Sequence, residues 1–219
     1  MSEALTGTTS GGLLRDAAIG FYGKIPGRGD FVQAGLPRAF VDPWDAWMRR
    51  MIVTSRSVLG EGWLPAWLEA AVWRFALSPG VCGPDSVLGL WMPSVDSVGR
   101  YFPLTLAAVG PDLEAAALMH GVGGFLAAAE CAGRAALADD LPPEELTARL
   151  VAAVATPPGN PACDLVLCPA GGGLWWTEGG PRVSAESFTS AGLPDEDTFV
   201  AMLVSCCSNP PAFASEHVR

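Results

Sequence analysis

The sequence predicts an α+β fold, a single compact domain in which a mostly antiparallel sheet of about five or six strands is covered by helices. Three observations lead there. Of the 219 residues 50% are hydrophobic and only 16% charged, which is enough apolar surface for a sizeable core. Between residues 72 and 109 short apolar runs alternate with glycine- and proline-containing turns, the pattern of neighbouring antiparallel strands. Elsewhere apolar residues recur at helical spacing.

Taken in order, the N-terminal MSEALTGTTSGG has an acid at Glu3, no basic start and no apolar run, so residues 1–15 read as a flexible tail without an export signal. Ala18 to Tyr22 is a short strand ending at glycine. The stretch FVDPWDAWMRRMIVTSRSVLG then gives the clearest helix, with Asp42 as the cap, Pro43 in the first helical position and Asp45 three residues after the cap. Its Trp44, Trp47, Met48, Met51 and Ile52 stack along one face and point inward. Arg49 and Arg56 lie two turns apart on another face, as solvated side chains open to a partner.

Gly60 and Gly62 stop this helix, and Trp63 to Ala71 forms a shorter one despite Pro65. Val72–Leu77, Val87–Met92 and Phe102–Val109 make a three-stranded meander. After Gly110 the texture changes to an alanine-rich helix from Asp112 to about Leu137, interrupted near Gly121, Gly123 and Gly124, and then to a helix from Pro143 to Ala155. TPPGNP, from Thr156 to Pro161, is a stiff connector. Asp164–Cys168 and Leu174–Thr177 read as strands, and Asp195–Val204 as a last helix with acids at its positive end. The domain therefore spans 16–210, a motif-rich half at 16–110 and an acidic helical half at 111–210, followed by a tail at 211–219.

Charge narrows the partners. Residues 1–110 hold nine Lys/Arg and nine Asp/Glu, whereas 111–219 hold four and fourteen, so the second half carries the whole net charge of −10. Such a potential repels nucleic acid and anionic lipid, and no apolar run reaches the ~20 residues that span a bilayer. A cytoplasmic protein without membrane insertion follows. The six cysteines, at 82, 131, 163, 168, 206 and 207, lack zinc-site spacing and read as reduced, small, buried hydrophobes.

The stretch GKIPGRGDF, Gly23 to Phe31, carries most of the chemistry. A magnesium-nucleotide loop needs Ser or Thr after Gly-Lys, but Ile25 stands there. The dinucleotide fingerprint fails too, because position 32 is Val where a third glycine belongs. A looser anion site between Lys24 and Arg28 stays open. Arg28-Gly29-Asp30 spells an adhesion tripeptide, which is read instead as a turn set by Pro26-Gly27, with Gly29 supplying conformational freedom and Asp30 bonding nearby amides or an arginine. His120 and His217 stand beside no evident nucleophile, and no catalytic or metal motif is present. No catalytic residue, metal or cofactor is expected. The candidate binding surface joins Lys24, Arg28 and Asp30 with Trp91, Asp96, Arg100 and Tyr101, an Arg28 or Arg100 pairing with Asp30 or Asp96 to hold both loops.

Taken together, GFYGKIPGRGDFV at 20–32, LPRAFVDPWDAW at 36–47, VWRFALSPGVCG at 72–83 and MPSVDSVGRYFPLTLA at 92–107 resemble, in order and spacing, the bacterial type VI secretion-associated family TagF. This resemblance covers residues 20 to about 109. It implies a cytoplasmic, non-enzymatic repressor that acts after translation by protein–protein binding to the forkhead-associated scaffold Fha and other type VI secretion components. A chain ending at Arg219 is expected to be the stand-alone form, without the fused phosphatase domain of some members. Two other functions compete: a hydrolase-like or phosphate-binding enzyme using clustered Asp and Arg residues, and a structural accessory subunit of the secretion apparatus.

Overall fold

The computed structural model describes residues 14, 16–111, 113, 123–139, 141–154 and 171–204. In chain order the elements are β1 (Ala18–Gly23), β2 (Val32–Ala34), α1 (Arg38–Leu59), a 3₁₀ turn (Gly60–Gly62), α2 (Trp63–Leu68), β3 (Trp73–Leu77), β4 (Ser86–Met92), β5 (Leu104–Gly110), α3 (Gly123–Ala138), α4 (Pro143–Ala153), β6 (Gly173–Thr177), β7 (Glu186–Ser190) and α5 (Glu196–Val204). The strands form one fully antiparallel sheet in the order β2-β1-β5-β4-β3-β6-β7. The fold is α+β, and the meander of β3, β4 and β5 lies at its centre. Among the described residues there are seven strands, against the five or six expected. Both additions are edge strands: β2 has only three residues, and β7 is a polar ESFTS run with no buried position. Neither carries enough apolar alternation to signal itself.

The sheet is buried on both faces, and strand periodicity divides its side chains between two cores. Leu88, Leu90 and Met92, with Leu104, Leu106 and Ala108 and with Leu174 and Trp176, pack with α3 and α4 residues such as Phe125, Ala129, Leu146 and Leu150. Val87 and Trp91, Ala107 and Val109, Trp73 and Phe75, and Trp175 pack on the other face with Trp44, Trp47, Met51, Trp67 and Phe199 from α1, α2 and α5. The central strands β3, β4 and β5 are buried at every position, which is why they are mostly apolar; the one charge among them, Arg74 on β3, is paired with Glu130 and Glu178.

The second core is aromatic, and its indoles also connect layers by hydrogen bonds. Trp44 donates to Thr105 Oγ1 on β5 (3.0 Å), Trp47 to the Pro194 carbonyl (2.8 Å) and Trp73 to the Met202 carbonyl of α5 (3.0 Å). A buried indole that finds an acceptor adds direction to its apolar burial. The inward stripe of α1 predicted from its spacing is present, with Trp44, Trp47, Met48, Met51 and Ile52 all buried.

Helix α1 begins earlier than its sequence signals indicate. Pro37 is the residue before the helix, and Pro43 lies inside it, so Asp42 is not the cap. Pro43 withholds the N–H that would bond the Ala39 carbonyl. The turn after β3 packs against this stretch: a Cβ on Gly83 would stand 2.8 Å from the Ala39 oxygen, and the Cys82 thiol donates to the Phe40 carbonyl at 3.5 Å. Burial pushes the Cys82 thiol up to about 12. Cys82 is thus the small buried hydrophobe expected of the cysteines, whereas Cys131 on α3 is exposed. The predicted strand at 164–168, both histidines, the remaining four cysteines and most of the segment at 112–122 lie outside the described residues. Among the described residues, no helix is long and apolar enough to cross a membrane.

Because Trp44 is fully buried and bonded to the central strand β5, Trp44→Ala is expected to destabilise the fold by about 3–5 kcal/mol, read as a lowered urea midpoint in chemical denaturation. A loss below about 1 kcal/mol would contradict its place at the centre of the second core.

Candidate functional site

The polar centre lies where β1 leaves the sheet and where β4 crosses over to β5. Gly23 closes β1 at φ +145°, and a Cβ there would lie 2.0 Å from the Pro103 oxygen, so backbone proximity and conformation both demand glycine. Two residues on, Ile25 accepts the Arg28 amide (3.2 Å) and closes the Pro26-Gly27 turn. The conformational freedom expected of Gly29 is used instead at Gly23; Gly29 is not among the glycines with positive φ.

The second loop, residues 93–103, is a small hairpin. Val95 and Tyr101 form an isolated antiparallel bridge, and the Asp96 amide donates to the Arg100 carbonyl at 3.0 Å. Asp96 organises it from inside. Its carboxylate accepts the amides of Val98 (3.0 Å) and Arg100 (2.8 Å), the Arg100 Nε (2.7 Å) and the ammonium of Lys24 from the first loop. Lys24 and Asp96 are both almost wholly buried, at 4% exposure each. Their ion pair is the main bridge between the loops. Three further bonds reinforce it: Ser94 Oγ donates to the Lys24 carbonyl (2.8 Å), the Ser97 amide to the Arg28 carbonyl (3.1 Å), and the Arg100 guanidinium to the Gly29 carbonyl.

Burial by itself would raise the Asp96 carboxyl. The Lys24 ammonium, the amide and guanidinium of Arg100 and the Val98 amide together outweigh that penalty and hold it well below the usual carboxylate range. Beside the pair stands an aromatic cluster. Tyr22 stacks on Phe31 at 5.4 Å, and Phe102 meets both rings edge-on. The Lys24 ammonium lies 4.5 Å from the Phe31 ring centre. The Tyr22 hydroxyl donates to Asp45 Oδ1 (2.5 Å), whose other oxygen accepts from Arg49 (2.6 Å). Burial and the Asp45 carboxylate push the Tyr22 hydroxyl far above its ordinary range, so it stays protonated.

The structure therefore brings Lys24, Arg28, Asp96, Arg100 and Tyr101 onto two adjoining loops, but the expected arginine–aspartate tie is not what joins them: Arg100 pairs with Asp96 inside the second loop, and the ion pair between the loops is Lys24 with Asp96. Two of the seven residues stand apart. Trp91 is fully buried, stacked between Trp67 and Phe199 in the second core, and cannot line a surface. The error has a simple cause: β4 is buried on both sides, so no alternation marked which side chains face out. Asp30 is exposed and makes no side-chain hydrogen bond among the described residues; with Arg28 it borders a cleft of about 340 Å³ against Pro143 and Glu144. Lys24 corrects the anion-site reading, since its charge is committed to Asp96 away from solvent.

Arg49 and Arg56, expected as solvated side chains open to a partner, each lie against aromatic rings. Arg49 lies over Phe31 and Phe102, at 5.1 and 5.7 Å from the ring centres, and Arg56 over Trp63 and Tyr101, at 4.1 and 5.5 Å. Their seven-residue separation placed them on one helical face, but the rings beneath them come from the 24–31 and 94–102 loops and from α2.

Fold and site together define an α+β domain: an antiparallel sheet between helical layers, with a closed ionic lock beside ring-backed arginines. The model of the family described as TagF N-terminal domain, Type VI secretion system-associated, matches residues 20–153, more than half of the chain. The chain belongs to this family. The match extends past residue 109 through α3 and α4, so the helices over the first core are part of the family's pattern. Among solved structures the chain is similar to PA0076 from Pseudomonas aeruginosa PAO1, known from a crystal structure at 2.05 Å resolution, with 35% identity, a TM-score of 0.68, and coverage of 89% of this chain and 98% of that one. A comparison with curated proteins finds no match.

Two measurements test the lock. Lys24→Met removes the cation from a buried pair and is expected to cost about 3–5 kcal/mol in urea denaturation; a change under about 1 kcal/mol would show the pair to be dispensable. For Asp96 the native carboxyl titrates below its unfolded value, so the unfolded chain binds the extra proton as pH falls and stability drops with it. Asp96→Asn is therefore expected to flatten the acid limb of the urea midpoint between about pH 5 and about pH 2.5, relative to wild type. Superimposable acid limbs would count against the assignment.

Proposed function

We propose that this chain is a cytoplasmic regulator that acts by binding and not by catalysis: it represses type VI secretion after translation by occupying a surface of the forkhead-associated scaffold Fha. Its membership of a type VI secretion-associated family carries the reading. The site chemistry supports it. Asp96, Lys24 and Arg100, which an enzyme would need available for substrate, are spent on one another and on backbone amides. What the lock achieves mechanically is to fix two loops and the rings on them, which is what a recognition surface requires: side chains ordered before the partner arrives lose less freedom on binding.

Overproducing the chain is expected to silence secretion while the proteins of the apparatus stay at normal abundance, and tagged chain is expected to capture Fha from lysate. Secretion that continues at the normal rate, or co-purification with assembled particles at a fixed ratio in place of Fha capture, would speak for a structural subunit instead.

A further inference from the structure

We propose that the outer face of α1 between Arg49 and Arg56, continued by Arg100, is the docking surface for a carboxylate-rich segment of a protein partner. The inference rests on the reading that the chain works by binding, and it names the chemistry of what is bound.

The charge pattern is the first argument. The chain carries a net −10, yet from Ala46 to Gly60 it has three arginines and no acid. One of the three, Arg50, pairs with Glu196 of α5 at 3.3 Å. Arg56 has no ion-pair partner among the described residues. Arg49 shares only Asp45, whose first oxygen is already taken by the Tyr22 hydroxyl. Arg100 pairs with buried Asp96 but is itself 56% exposed. On a molecule whose second half carries the whole net charge of −10, a cationic strip in the first half is where an acidic partner can approach.

The rings beneath the strip supply the second argument. The guanidinium carbon of Arg49 lies 5.1 and 5.7 Å from the Phe31 and Phe102 ring centres, and that of Arg56 4.1 and 5.5 Å from Trp63 and Tyr101. A ring attracts a cation without cancelling its charge, so Arg56 is placed and not neutralised, while Arg49 keeps part of its N–H edge beyond the one Nε bond to Asp45. The end of α1 explains one of these residues in part, since a cation in the last turn complements the helix dipole. That account does not reach Arg49, which is mid-helix.

The third argument is shape. Val53, 69% exposed, lies one turn from each arginine, and Val98, 67% exposed, sits two residues from Arg100. Arg49 and Arg56 are about 10 Å apart along the axis. A helix with Glu at i and i+7 and a leucine at i+4 matches this spacing of cation, aliphatic spot and cation. The occupant is therefore an acidic segment with aliphatic residues between its carboxylates.

The test uses the full chain and a fluorescein-labelled alanine-based helical peptide with Glu at i and i+7 and Leu at i+4, read by fluorescence anisotropy. Its counterpart with Lys for both Glu serves as control. Wild type is expected to bind the Glu peptide, more weakly at about 300 mM than at about 50 mM salt, and not to bind the Lys peptide. The double variant Arg49→Gln/Arg56→Gln is expected to lose about tenfold or more in affinity, and Arg38→Gln, in the first turn of α1, to change nothing. Should the double variant fold poorly by circular dichroism, Arg56→Glu alone, which leaves the Asp45 contact intact, is expected to give the same direction of loss. No binding by wild type, equal binding of the two peptides, or unchanged affinity in the arginine variants would overturn the assignment. Capture of Fha by wild type and double variant alike would overturn this surface while sparing the binding function; failure of wild type to capture Fha, with peptide binding as expected, would sink the named partner and spare the surface.

Discussion

The arrangement of this protein's working surface depends on one buried ion pair, Lys24 with Asp96. Two charges taken out of water are costly unless each is fully coordinated, and here the carboxylate has four donors while the ammonium also lies against the Phe31 ring. Such a pair tolerates little displacement, so it fixes the distance between loops that are 72 residues apart in sequence. Phe31 travels with one loop, Tyr101 and Phe102 with the other, and the arginines of α1 rest on all three. The ionic lock thereby sets the position of side chains it never touches.

The scaffold around it explains why such a lock can hold. A sheet covered on both faces gives its central strands no solvent side, so β4 and β5 are rigid supports for the loop that joins them. The indole hydrogen bonds add lateral ties: Trp67 donates to the Ser94 carbonyl at 3.1 Å, next to the point where Ser94 itself bonds Lys24. The aromatic core and the polar centre are thus one continuous structure, with α2 clamped over the start of the second loop.

Much of this was legible in the chain. The meander and the inward face of α1 follow from turn chemistry and helical spacing, and the two polar loops do adjoin, although a lysine and not an arginine makes the ion pair between them. What escaped has physical causes. Pro43 and Asp42 imitate a helix start, and only the packing of Cys82 and Gly83 against the preceding turn shows that the helix has already begun. The three residues of β2 and the polar face of β7 are too short or too exposed to carry a pattern. Trp91 looked accessible because a doubly buried strand has no polar alternation to orient it. Lys24 read as free for an anion or a partner because Asp96 lies far along the sequence, and a long-range salt bridge leaves no local trace.

The function proposed for this TagF family member follows from the same constraint: a protein whose charges are consumed in fixing loops presents a shape, and a shape recognises. The most direct test of that constraint is a double-mutant cycle of Lys24→Met and Asp96→Asn by equilibrium urea unfolding. The account predicts strong coupling, the double variant losing clearly less stability than the two single losses combined, because each single change strands the other group. Losses that simply add would mean the two side chains act independently, and the ionic link between the loops would not be what holds them.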